Sequence, residues 1–93
     1  VDFEVQTVWL TDDFALIGTN AEPLYALGAH MESAAAPATT MLLGYTNGCI
    51  AYTPDTVEAK RGGYESTSYL YSVWTGPLKY GLERVFAEGV AKR

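Results

Sequence analysis

Two tyrosines stand out in a stretch of the chain that otherwise has the composition of a loop. Residues 45–66 read YTNGCIAYTPDTVEAKRGGYES, with Tyr52 in the middle, Tyr64 near the end and Glu65 beside the second tyrosine. Loops are usually built from Gly, Pro, Asn and Asp, whereas a phenol can donate a hydrogen bond to charge that develops on a substrate. The pattern indicates either a packed Ω-type loop or a chemical site.

The other residue types that could take part in catalysis or bind a metal are few and dispersed. Cys49 is the only cysteine, which excludes an internal disulfide and a cysteine-based zinc site, and we expect it to be a small buried residue. His30 is the only histidine and is predicted to face solvent on a helix. Asp12 and Asp13 have the pattern of a turn. Taken singly, these residues favour structural roles.

Length and charge limit the classes of function. The chain has 93 residues, enough for one domain at most, with 11 acidic and 6 basic residues and a net charge of −5. A nucleic-acid surface needs clustered Lys and Arg, so we expect no nucleic-acid partner. No apolar run approaches the ~20 residues of a membrane span. The chain begins with Val1 rather than Met, which leaves a longer natural polypeptide open.

The first third of the chain has the pattern of a β-hairpin. Residues 3–10 alternate and are rich in β-branched and aromatic types, and residues 14–19 are nearly all apolar. Asp12 and Asp13 fall between these two runs, where a tight turn would join them. We therefore predict two paired strands, the second of them covered on both faces.

A helix and a third strand are predicted next. Asn20 is a good helix N-cap, and Glu22 and Pro23 suit the first turn, so the pattern predicts a helix start at residues 20–23. Its inner face would carry Leu24, Leu27, Gly28 and Met31, and it should end at residues 33–36, before Pro37. Residues 39–45 then read as a third, internal strand, which completes a right-handed βαβ unit.

The remaining segment predicts a long loop followed by a C-terminal helix. A short helical turn is expected over residues 55–61, and Gly76-Pro77 is expected to open a helix with Leu82, Val85, Phe86 and Val90 on its inner face. The fold class is thus α/β, a small β-β-α-β-α unit. Because loops beyond ~12–15 residues are uncommon in so small a domain, we expect residues 1–93 to be part of a larger sheet.

Several motifs in this chain occur together in one known family. They run in the order DFALIG at Asp13–Gly18, Glu22-Pro23-Leu24, TNGCIAY at Thr46–Tyr52, Pro54, GYES at Gly63–Ser66, Ser68, Leu70-Tyr71 and Gly76-Pro77. In combination they resemble the neutral/alkaline non-lysosomal ceramidase family. The resemblance extends from about Val5 to Val90 and corresponds to the C-terminal part of the family's catalytic domain.

The resemblance implies a hydrolase, a zinc-dependent amidase that cleaves the N-acyl bond of a sphingolipid-like substrate. It places Glu22 at a carboxylate zinc ligand, Tyr52 at a tyrosine zinc ligand and Tyr64 at the hydroxyl that stabilises the oxyanion. Zinc accepts oxygen ligands and can activate a water when one coordination position stays open. Both proposed ligands follow strands, at the edge where α/β sheets commonly place their sites.

The chain departs from the family pattern in three places. The family's zinc also needs two histidines from an earlier part of the chain, and His30 matches neither of them. Ala21 stands where the family usually has Gly, and Cys49 replaces a residue that is often Tyr. The ligand set is therefore incomplete, and the chain is not expected to be active alone.

Each of these assignments has a structural alternative. Glu22 also suits a helix start, and Tyr52 and Tyr64 could pack a loop against the helices. Glu65 could pair with Lys60 or Arg61, or support Tyr64. Further aromatic residues could line a groove for a lipid chain or pack in the core: Trp9, Tyr69, Tyr71 and Trp74.

The function has an alternative of another class. The chain would then be a non-catalytic binding or assembly domain that retains the scaffold, with exposed strand edges that pair into a homo-oligomer. In an intermediate case, the missing upstream chain region, or a separate chain in trans, would complete the zinc site.

Overall fold

The strands lie mainly in the first half of the chain and two of the helices in the second. The structure is a computed structural model and describes residues 3–48, 50–63 and 80–91. In these ranges the elements are β1 (Val5–Thr11), β2 (Phe14–Thr19), β3 (Glu22–Pro23), α1 (Tyr25–Ser33), β4 (Thr39–Leu43), β5 (Tyr52–Thr53), α2 (Thr56–Arg61) and α3 (Leu82–Glu88).

A mixed sheet in the order β1-β2-β4 confirms the predicted α/β unit. β1 and β2 form the expected antiparallel hairpin, with Val8 opposite Leu16, and Asp12-Asp13 forms the turn. β2 pairs in parallel with β4, with Leu16 opposite Met41, and α1 connects them. The sheet is therefore a hairpin extended by a βαβ crossover.

The expectation that the third strand is internal is wrong within the described residues. Only β2 has a neighbour on both sides in this sheet, and β4 lies at its edge. Exposed and partly buried side chains alternate along β4, and Met41 and Leu43 are 52% and 40% exposed. One face of β4 is therefore partly covered by the rest of the molecule and the other face is exposed, rather than both faces being covered.

The predicted helix start at residues 20–23 is also wrong, because tertiary pairing uses those residues as a strand. The backbone N–H of Glu22 donates to Ala51 O at 2.8 Å, and that of Leu24 donates to Thr53 O at 3.0 Å. The Asn20 side chain accepts the Glu4 N–H at 2.9 Å instead of capping a helix. α1 therefore begins only at Tyr25, after Leu24, which provides no side-chain cap.

A second, two-stranded parallel sheet joins β3 to β5, which the sequence pattern did not predict. The helical turn expected after β5 is confirmed as α2. Asp55 is its N-cap and accepts the Glu58 N–H at 2.9 Å. The long loop is thus partly structured, and β5 attaches it to the end of β2 through β3.

The core lies between the sheet and two packed helices, α1 and α3. Leu27, Gly28 and Met31 are buried on α1, as predicted for its inner face. Phe86 is 1% exposed on α3 and its ring lies 5.2 Å from that of Phe3. The remaining buried core residues are Ile17, Ala21, Ala35 and Val90.

The C-terminal helix differs in part from its prediction. Val85 is 53% exposed rather than on the inner face, because the buried side of this short helix is centred on Phe86. Gly81 is the N-cap, with φ of 92°. The predicted opening at Gly76-Pro77 lies outside the described residues. None of the helices in the described ranges has the length and apolar character to cross a membrane.

The core assignment gives a matched pair of stability predictions. Replacing Phe86 with Ala should lower the free energy of unfolding by about 3–5 kcal/mol, because it removes a fully buried ring from between the helices and the sheet. Replacing the neighbouring Val85 with Ala should cost less than about 1 kcal/mol, since that side chain faces solvent. Urea unfolding followed by circular dichroism measures both, and equal losses would contradict this placement of α3.

Candidate functional site

The two predicted zinc ligands lie directly opposite each other. Glu22 in β3 and Tyr52 in β5 are Cα partners in the parallel pairing of these strands. Residues paired in this way are about 4.8 Å apart and point to the same face of the sheet. Both residues are half-buried. The structure thus brings together two residues that are 30 positions apart in the sequence, 52 − 22.

A run of backbone hydrogen bonds holds this register. The segment of residues 45–53 follows the segment of residues 19–24, starting with Thr46 N–H to Thr19 O at 2.8 Å and Tyr45 N–H to Ala21 O at 3.0 Å. The Ile50 N–H then donates to Asn20 O at 3.0 Å. The positions of Glu22 and Tyr52 therefore follow from the backbone and do not depend on their side chains.

Buried polar residues are concentrated around this pair. The four buried polar residues in the described ranges are each within three positions of Glu22 or Tyr52 in the sequence: Thr19, Asn20, Thr53 and Asp55. The Thr19 and Thr53 hydroxyls are buried without a hydrogen-bond partner within the described part of the chain. Burying unpaired polar groups costs free energy, so their presence close to Glu22 and Tyr52 in the sequence favours a functional use of these segments.

The sequence reasoning missed these four residues. The sequence pattern places Thr19 at a strand end, Asn20 at a helix cap, Thr53 in the long loop and Asp55 at the start of the short helical turn, and predicts no buried polar role for any of them. A Thr-Asn pair that directly follows an apolar strand was the available signal, because polar residues at that place lie at the carboxyl end of the sheet.

A second polar contact fixes the helix that follows Tyr52. The Thr56 N–H and hydroxyl both donate to Glu83 Oε1 at 3.0 Å, and the Gly81 N–H donates to Thr56 Oγ at 2.8 Å. Burial alone would raise the pKa of Glu83, but hydrogen bonds from its own N–H and from Thr56, and the charge of His30, together lower that pKa. The N-terminus of α2 is thereby attached to that of α3.

His30 is on a different element from the two candidate ligands. It is exposed on α1, as predicted, and its charge acts on Glu83. Within residues 3–48, 50–63 and 80–91, no three residues among His, Cys, Asp and Glu are grouped so that they could hold a metal ion. Glu22 and Tyr52 suit zinc as oxygen donors, but as half of a ligand set.

Other predicted site residues lie outside the described residues. They are Tyr64, Glu65, Cys49, Tyr69, Tyr71 and Trp74. Trp9, in contrast, is half-buried, and its indole N–H donates to Ala91 O at 3.0 Å. This contact gives Trp9 a packing role at the C-terminal segment.

Among the open cavities formed by the described residues, two differ in their closeness to the pair. One of about 250 Å³ is next to the β1–β2 turn and includes Trp9, Asp12 and Asp13 in its lining. One of about 280 Å³ is lined by Leu24, Tyr25, Ala26 and Glu58. The second is the more relevant to the pair, because Leu24 follows β3 directly and its N–H bonds to β5.

Comparison with known proteins identifies no relative. No protein-family model matches the chain, and neither the curated proteins nor the solved structures contain a significant match.

The Glu83 contact predicts a pH-dependent contribution to stability. Replacing Glu83 with Ala should lower the free energy of unfolding by about 1 kcal/mol at pH 7, because both Thr56 donors lose their acceptor. A lowered pKa means that the folded state favours the carboxylate more than the unfolded chain does. The stabilisation is therefore fully present above the ordinary pKa of 4.5 and is lost as the pH falls through the folded-state value.

Urea unfolding between pH 7 and pH 3.5 measures this effect. The difference between the parent chain and Glu83→Ala should shrink towards the acid end. Glu88→Ala is the control on the same helix, because Glu88 makes only an exposed contact with Arg84 at 3.5 Å. A difference for Glu83→Ala that stays constant over the whole range would contradict the assignment.

Proposed function

We propose that this chain supplies part of the active site of a ceramidase-like zinc amidase, which hydrolyses an N-acyl amide bond. Glu22 and Tyr52 would be two zinc ligands, and Tyr64, by resemblance, would stabilise the oxyanion. The observation that carries the proposal is the parallel pairing of Glu22 with Tyr52. Two residues named as ligands from motifs far apart in the sequence are direct neighbours in the fold.

The surroundings of the pair support the same proposal. Glu22 and Tyr52 follow the carboxyl ends of β2 and β4, where α/β sheets commonly place their sites. Zinc bound there would supply Lewis acidity for the scissile carbonyl and for a water. The contribution of this chain is to hold a carboxylate and a phenol at one register position. A sphingolipid-like N-acyl amide is the substrate class that the resemblance implies.

The remaining ligands would come from elsewhere, because His30 is the only histidine and belongs to no group of three candidate metal ligands in the described residues. We therefore predict that the purified chain with added Zn²⁺ does not hydrolyse a fluorogenic N-acyl amide above the rate of the free metal ion. Turnover that disappears in Tyr52→Phe would contradict this prediction and would mean that the chain forms a complete site alone.

Metal binding tests the pair directly. The probe is Zn²⁺ carrying one 2,2′-bipyridine, whose two nitrogen atoms replace the missing histidines and leave coordination positions open. We expect weak binding to the parent chain in isothermal titration calorimetry. The affinity should fall at least about tenfold in Glu22→Gln and in Tyr52→Phe, because each variant loses one of two ligands.

The control for this titration is Glu32→Gln. Glu32 is an exposed carboxylate on α1 that accepts a 3.3 Å hydrogen bond from the Thr40 hydroxyl and takes no part in the pair. It should leave the affinity unchanged. An equal affinity for the parent chain, Glu22→Gln and Glu32→Gln would show non-specific carboxylate binding and would overturn the proposal.

A second candidate is a non-catalytic binding or assembly domain that retains the scaffold. The observation that favours it is the edge position of β4 with its exposed Met41 and Leu43. Native edge strands are usually protected by charges, prolines or bulges, and the sequence TTMLL carries neither charge nor proline. Absence of zinc-complex binding together with self-association would favour this candidate.

A further inference from the structure

One face of the three-stranded sheet carries apolar side chains, and none of the helices within residues 3–48, 50–63 and 80–91 packs on it. We call it the outer face and define it by Val8, Leu10, Leu16, Met41 and Leu43. Val8, Leu16 and Met41 form one row across the three strands, because they occupy paired register positions. Val8, Leu10 and Met41 are each more than half exposed, and Leu43 is 40% exposed.

The opposite face shows what a covered face of this sheet looks like. Ala15 and Ile17, which alternate with Leu16 along β2, are fully buried, and Ile17 packs with the helices in the core. Side chains alternate between the two faces of a strand, so the same three strands present one buried and one exposed apolar surface. A solvated face of a sheet normally carries polar residues at these alternate positions.

The charge distribution makes this face suited to a copy of itself. The strands that form the sheet read VQTVWLT, FALIGT and TTMLL and contain no charged residue, although the chain has a net charge of −5. The charges of the described residues therefore lie outside these three strands, on the helices, the connections and, for Glu22, on β3. Two outer faces can meet without bringing like charges into contact on the sheet, whereas a charged partner would find no ion-pair partner there.

The exposed area is sufficient for a weak dimer. The side chains of the outer face expose on the order of 400 Å², as large as the biggest apolar patch of a typical monomer. Two such faces would bury on the order of 800 Å² in total, and the side chains at their borders would bring the contact towards the lower limit for a specific interface, on the order of 1,000 Å². A two-fold axis through the Val8–Leu16–Met41 row would pair the patch with itself.

We propose that two copies of this chain pack outer face against outer face, forming a four-layer dimer with sheets inside and helices outside. The proposal deepens the assembly candidate by naming the surface and its occupant. It shares no residue with the Glu22–Tyr52 pair. The zinc titration and the association experiment can therefore fail independently of each other.

The two methionines of the chain provide the test. Met41 is 52% exposed on the outer face, and Met31 is fully buried in the core. With ¹³C-labelled methionine methyl groups, the Met41 resonance should shift as the chain concentration rises from 10 μM to 1 mM, following the dimer fraction seen by sedimentation velocity. The Met31 resonance should stay in place. Association without a Met41 shift, or a monomer throughout, would overturn the proposal.

A matched pair of variants locates the interface. Val8→Lys introduces a charge on the outer face, and Val85→Lys introduces the same charge on α3, at a valine of nearly equal exposure, 52% against 53%. Val8→Lys should weaken dimerisation at least about tenfold, and Val85→Lys should leave it unchanged.

Both variants must be folded for this comparison to be valid. Thermal unfolding of each variant shows whether it is folded, and Val8→Thr, which keeps the β-branched shape, replaces Val8→Lys if that variant unfolds. Equal dimerisation of the folded Val8 variant and Val85→Lys would overturn the proposal.

Discussion

The buried residue Asn20 is the junction on which the second half of the chain depends. Its side chain accepts the Glu4 N–H at 2.9 Å and its backbone carbonyl accepts the Ile50 N–H at 3.0 Å, so it connects three segments at 6% exposure. An unsatisfied polar group at this depth would cost free energy, so the two partners are required together. A side chain at Gly48 would place its Cβ 3.1 Å from Asn20 Cβ. The glycine therefore lets the loop pass close to Asn20 without displacing it.

Buried polar residues and buried apolar residues occupy different parts of the molecule. The three-stranded sheet is uncharged, and its inner face packs on helices. Buried polar residues collect beyond the end of β2, around β3 and β5. A sheet end that keeps buried hydroxyls in an otherwise apolar structure retains polar groups that packing alone does not need. This division separates the apolar scaffold from the segments that carry the candidate site.

The sequence predicted the parts of the fold that local patterns determine. The hairpin, the inner face of α1 and the short helical turn over residues 55–61, seen as α2, are local features, and each is confirmed. The helix start at Asn20 was wrong because pairing with residues 50–53 competed with an N-cap signal and prevailed. β5 was missed because a two-residue strand has no detectable period. Glu22 and Tyr52 were named from a resemblance, and their contact depends on a long-range register that no local pattern encodes.

The attachment of Ala91 to the first strand bears on the order in which these elements can fold. Trp9 Nε1 bonds to Ala91 O across 82 positions, and Ala91 N–H bonds to Thr7 Oγ across 84. The hairpin closes a short loop, and the βαβ unit a moderate one, so both can form while the chain is still being synthesised. Docking of α3, which places Phe86 against the core, must close the longest of these loops. Closing that loop therefore costs the most chain entropy. Completion of the core is therefore a late event, tied to the arrival of the C-terminal segment at β1.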